Sequence, residues 1–78
     1  MSDQLTYGQK AVGLTFNPSG DPDVHACKTA FAAEIDRMDE LRNRIGLDGE
    51  QKRLCSIAIT ELQAAQMWAV KALTWRAP

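Results

Sequence analysis

Apolar residues return every three or four positions through two long stretches of the chain, and turn-forming residues precede each stretch. In the first, Val24, Phe31, Met38 and Ile45 recur every seven residues, Ile35 and Leu41 fill intervening positions, and Cys27 or Lys28 lies one turn earlier. This coiled-coil-like seam predicts a helix over residues 21–45 packed along one stripe. Its start is well marked. Asp21 is a good N-cap, Pro22 suits the first helical position because its missing amide would be unpaired anyway, and Asp23 favours the helix dipole. Ser19 is the competing cap. Ile45-Gly46-Leu47-Asp48-Gly49 breaks the pattern: Gly46 suits the left-handed residue past a helix end, and Asp48 can cap the next helix. So short a loop folds the two helices back as an antiparallel hairpin.

The second helix is expected over residues 49–75, from about Glu50 to Trp75, on the order of 40 Å long. Leu54, Ile57, Ala58, Leu62 and Ala65 form a stripe along its first half. From Ala64 to Trp75, however, only Gln66, Lys71 and Thr74 are polar. A helix apolar nearly all round is buried on more than one side. One partner helix covers one stripe, so the rest must meet the N-terminal arm or another subunit. Trp68 and Trp75 are large enough to dominate such an interface.

Residues 1–20 read as a mobile start and then an ordered arm. Gly8 and Gly13 interrupt any long helix, leaving room for a short helix or turn around residues 5–12. Leu14-Thr15-Phe16 is expected to be extended, because Pro18 also biases Asn17 away from helical angles. The simplest role for the arm is to cover an apolar face of the hairpin. The expected fold is therefore all-α: a single domain over residues 1–78, with an N-terminal arm and a two-helix hairpin that self-associates.

Size and composition support this. A chain of 78 residues buries only about 60–65 % of the surface its unfolded form exposes, so a lone core is marginal. Such chains usually add a metal, disulfides or partner subunits. The two cysteines, Cys27 and Cys55, make no disulfide framework; both lie in helical apolar patterns and read as free thiols. Oligomerisation is the remaining staple. No apolar run approaches the roughly 18–20 residues of a membrane span, and the polar, acidic first residues do not resemble a signal peptide. A soluble, intracellular protein is expected. Net charge of −1 argues against general binding of DNA or RNA, which normally takes a basic surface.

Candidate chemistry is sparse. His25, the only histidine, has no serine or cysteine at a recognisable spacing. It stands two residues from Cys27, on a different helix face, which disfavours metal ligation. Asp36, Asp39 and Glu40 read as solvated charge, and the scattered glycines form no phosphate loop. Neither an enzyme nor a metal or cofactor site is expected. A binding site is more plausible near the turn. Phe16 offers a stacking face, the start of a helix offers free amides to phosphate, Lys28 offers a point charge, and Asn17 can pair with a base edge. Each also has a plain reading: Phe16 as core, Asn17-Pro18-Ser19 as a turn, Lys28 as surface.

The segment Ala11 to Ser19 (AVGLTFNPS), the helix carrying Lys28, and the stretch Ile59 to Ala72 (ITELQAAQMWAVKA) resemble the phage-encoded anti-CBASS cyclic-nucleotide sponges, which share a hairpin domain with the anti-Thoeris sponges. The resemblance spans nearly the whole chain. It implies a small all-helical hexamer in the host bacterial cytoplasm. Such an assembly captures cyclic dinucleotides such as 3′,3′-cGAMP between protomers without cleaving them, and some members hold cyclic trinucleotides at separate threefold sites. By the same resemblance Phe16 stacks on a base, Lys28 meets phosphate, and Asn17 and Ser19 line the pocket. The family's usual aromatic is a tyrosine, so Phe16 keeps the stacking and loses a hydroxyl, and Tyr7 is the rival assignment. Asn17 and Arg53 are candidates for a trinucleotide site. The alternative is a helical-hairpin oligomer that serves as a protein-interaction module.

Overall fold

The computed structural model describes residues 4–76. Residues 1–3, part of the start expected to be mobile, lie outside the described residues. Among the described residues the chain forms three helices and no strand: α1 (Tyr7–Val12), α2 (Pro22–Arg42) and α3 (Gly49–Thr74). None is long and apolar enough to cross a membrane.

Local chemistry sets most boundaries. Thr6 and Gln9 form a capping box at the start of α1, each side chain answering an amide that the first helical turn leaves unpaired. Gly13 ends α1 at φ 63°, in the left-handed region, where only glycine is free of a Cβ penalty. That reversal corrects one expectation: Leu14 and Thr15 belong to a turn, closed by Phe16 N–H donating to the Gly13 carbonyl at 2.9 Å, and are not extended. Asp21 caps α2 and Asp48 caps α3, as their positions suggested, accepting from Asp23 and Gln51 amides at 2.8 Å each.

The α2 helix stops at Arg42, three residues short of the expected end. The Asn43 side chain donates to the Asp39 carbonyl at 2.9 Å, and a side chain competing in this way favours a helix end. Ile45 is consequently outside the helix and fully exposed, so the seven-residue seam does not reach it.

The buried set differs from the predicted stripes for a tertiary reason. On α2 it is Val24, Lys28, Ala32 and Ile35; on α3 it is Cys55, Ile59 and Gln66. The α2 helix lies between the other two, packing against α3 on one side and α1 on the other, while α1 hardly meets α3. Residues screened from both sides are buried most deeply, and Phe31 and Met38 only partly so. Val12, Ala32, Ile35 and Ile59 form the core, with Leu14 and Leu62 at its edge. On α3 the expected Leu54 and Ile57 remain exposed, one and two positions off the buried stripe of Cys55 and Ile59. Both cysteines are free thiols.

The helices form one flat layer. The Cα extents are 50 × 34 × 12 Å and the radius of gyration is 14.3 Å, against about 11.5 Å for a compact chain of this length. Domains normally bury their cores between two layers; here both faces of a single layer are open. The arm does not cover the apolar end of α3, where Trp68 is 69 % and Trp75 63 % exposed.

Candidate functional site

A groove of about 490 Å³ runs where the end of α1, the following turn, α2 and the second half of α3 converge. Lys10, Gly13 and Phe16 border it from the N-terminal side, Lys28 from α2, and Gln63 and Gln66 from α3. Its size falls within the usual range for small-molecule sites.

Phe16 and Lys28 exchange the roles their residue types suggest. The Phe16 ring is 70 % exposed, so it is not core. Lys28 is only 5 % exposed, so it is not a surface lysine. Its ammonium donates to the Gly13 carbonyl at 3.0 Å and to the Phe16 carbonyl, and lies 5.5 Å from the Phe16 ring centroid. Two carbonyls occupy two of its three donors and tie the turn to α2. They do not neutralise the charge, and among the described residues its bonds reach no carboxylate. Burying a cation without a counter-charge is costly. The remaining N–H and the uncompensated charge suit an anion entering the groove.

The other predicted residues are dispersed. Asn17 spends its amide N–H on the Asp21 carbonyl at 2.9 Å, which fixes the turn, and Ser19 is exposed. The start of α2 is no anion site, because Pro22 has no N–H and the Asp21 carboxylate holds the Asp23 amide. Tyr7 lies at the far end of α1, its ring 5.2 Å from the Arg42 guanidinium carbon. Arg42 follows Lys28 by fourteen residues on α2, a rise of about 21 Å, so one chain does not bring Tyr7 and Phe16 into one site. Tyr7 and then Asp39 hold Arg42 more firmly in its charged form, against the opposing effect of burial. Arg53 borders a separate concavity of about 350 Å³ with Ser56, Ile57, Thr60 and Glu61. Its guanidinium grips Glu50 through two bonds of 3.0 and 2.8 Å. That pairing lowers the Glu50 carboxyl below its ordinary range and raises Arg53.

Three residues were not anticipated. Gln63 and Gln66 line the groove; their signal was polarity within an apolar run. Gly8 read only as a helix breaker, yet it is the point where α1 touches α2. Its N–H donates to Asp36 Oδ1 at 2.7 Å. No group of three or more His, Cys, Asp or Glu residues among those described could hold a metal ion.

Fold and groove together define a small helical-hairpin protein with one cationic, aromatic-edged cleft. The chain belongs to the Acb2/Tad1 hairpin-domain family, whose profile matches residues 9–74. This is the anti-CBASS and anti-Thoeris sponge family, whose members are non-enzymatic. The segments that suggested the resemblance fall inside that span. No curated protein and no solved structure gives a significant match.

Proposed function

We propose that this protein captures cyclic dinucleotide immune messengers, such as 3′,3′-cGAMP, in the Phe16–Lys28 groove and releases them unchanged. The observation that carries the reading is the buried, unneutralised Lys28 ammonium beneath an exposed Phe16 ring. The ring supplies a stacking face worth about 1–3 kcal/mol per base, and the ammonium supplies a counter-charge for phosphate. A cyclic dinucleotide has approximate twofold symmetry, with two bases and two phosphates. Two copies of the groove across a twofold axis would match it. The open face of the layer beside the groove suits such pairing, and we extend it to a homo-hexamer acting in the host bacterial cytoplasm. Sequestration would starve immune effectors of their signal. A trinucleotide site using Asn17 and Arg53 would take them from different copies, since Arg53 precedes Gln63 by ten residues on α3, a rise of about 15 Å.

Calorimetric titration with 3′,3′-cGAMP should give saturable heat with one ligand per two chains, and intact ligand after denaturation. Phe16→Ala and Lys28→Ala should each weaken binding at least tenfold, with Phe16→Ala leaving stability nearly unchanged. No heat at tens of micromolar from any of the three adenine- and guanine-containing cyclic dinucleotides overturns the reading. The second reading, a protein-interaction module, is favoured by the exposed Met67, Trp68 and Trp75. It predicts no thermal shift with any nucleotide.

A further inference from the structure

The groove holds a buried polar group that neither the stacking nor the phosphate contact uses. Gln66 is 5 % exposed and lines the groove opposite the α1 turn. Polar side-chain bonds nearby run from Lys28 and Thr74, and among the described residues none involves the Gln66 amide. A buried amide without a partner carries its full desolvation cost. Apart from Lys28, Gln66 is the one buried polar residue among those described, so apolar packing gives no reason for it.

We propose that Gln66 reads the edge of the base stacked on Phe16 and makes the groove prefer adenine over guanine. This rests on the capture of cyclic dinucleotides in that groove. A glutamine amide presents one acceptor and one donor side by side. Adenine answers with its N6 amino donor and N7 acceptor, giving two bonds at once. Guanine presents O6 and N7 on the same edge, both acceptors, and leaves the glutamine carbonyl unpaired. The penalty for that buried orphan is the source of discrimination.

The test compares wild type, Gln66→Met and Gln66→Lys by calorimetry against 3′,3′-cyclic di-AMP and 3′,3′-cyclic di-GMP, with mass by light scattering on each protein. Wild type should bind the adenine ligand about tenfold more tightly, the discrimination expected of one good bidentate pair. Gln66→Met, similar in shape and apolar, should lose that ratio while keeping wild-type mass and binding both ligands through Phe16 and Lys28. Gln66→Lys, a donor only, should shift the ratio toward guanine, whose O6 and N7 both accept from it; it carries the test should the methionine variant not fold. An unchanged ratio in either variant overturns the inference, as does a Gln66→Met protein with lower mass and the wild-type ratio, the mark of a purely structural contact. A wild type that binds both ligands without preferring adenine overturns the Gln66 assignment and leaves capture standing. A wild type that binds neither overturns the Gln66 assignment, and capture falls with it when 3′,3′-cGAMP is not bound either.

Discussion

Gly8→Ala should cost this protein more stability than its small size suggests. Within a helix alanine is intrinsically preferred, by at most about 0.5–1 kcal/mol. Here a Cβ would penetrate the Ala32 carbonyl oxygen and stand 2.8 Å from Asp36 Oδ1 and 2.9 Å from the Ala32 carbonyl carbon. Two of those atoms are α2 backbone and cannot swing away, so α1 must lift. Lifting breaks the bond from Gly8 N–H to Asp36 Oδ1, which, made to a charged acceptor, is worth about 1.5–3 kcal/mol. It also disturbs Val12 in the core, and overpacking of this kind costs about 1–3 kcal/mol. After the propensity gain the net loss is about 1.5–5.5 kcal/mol. At roughly 4–8 °C per kcal/mol for a domain of this length, Tm should fall by about 6–44 °C. Circular dichroism melts at one fixed protein concentration measure this, since assembly would make Tm concentration-dependent. Gly49→Ala is the control: nothing lies within 4 Å of its Cβ, so it should be neutral or slightly stabilising. A Gly8→Ala protein that melts at or above the wild-type temperature would refute the close-approach argument.

Three further outcomes follow from particular contacts. Tyr7→Ala should lower stability by about 1 kcal/mol through its lost contact with Arg42 while leaving dinucleotide affinity within twofold, whereas a tenfold loss in calorimetry would return the stacking role to Tyr7. Trp68→Ser, at an exposed position on α3, should reduce the mass seen by light scattering toward the 8.6 kDa chain with helical circular dichroism retained; an unchanged mass would remove Trp68 from the interface. Because Arg53 holds the Glu50 carboxyl low, the stabilisation it gives is present above the unfolded-state pKa and lost as pH falls through the lower folded-state value. NMR titration of the Glu50 side chain should therefore show its midpoint rising in Arg53→Ala, and a midpoint that does not move contradicts the pairing.

The helices were legible because their punctuation is local. Asp21-Pro22, Asp48 and Gly13 act on backbone within a turn of themselves, and each does so in the structure. The Thr6 and Gln9 capping box was equally readable, by spacing alone, and its absence from the expectations is a missed signal. What the sequence hid depends on a third element crossing α2. A seven-residue period describes a helix with one neighbour, but α2 has two, so Ala32 joins Val24, Lys28 and Ile35 in the buried set while Phe31 and Met38 stay partly buried. The same crossing gave Gly8 its reason, which no property of glycine in a short helix announces.

The site was hidden more deeply, because its chemistry uses backbone. Residue type places a lysine outside and a phenylalanine inside. The carbonyls of Gly13 and Phe16 invert that order by drawing the Lys28 ammonium under the turn, and the ring is left facing out. Carbonyl acceptors do not appear in a sequence; only the left-handed Gly13 hints that a turn will present them. The layer geometry links this to the surplus apolar surface. Met67, 64 % exposed, borders the groove, so unburied apolar surface of α3 reaches the open side of the cleft. A second copy laid on that surface would bury Met67 and wall the groove together. Any ligand bound there would then touch both chains, and its binding energy would add to the free energy of assembly.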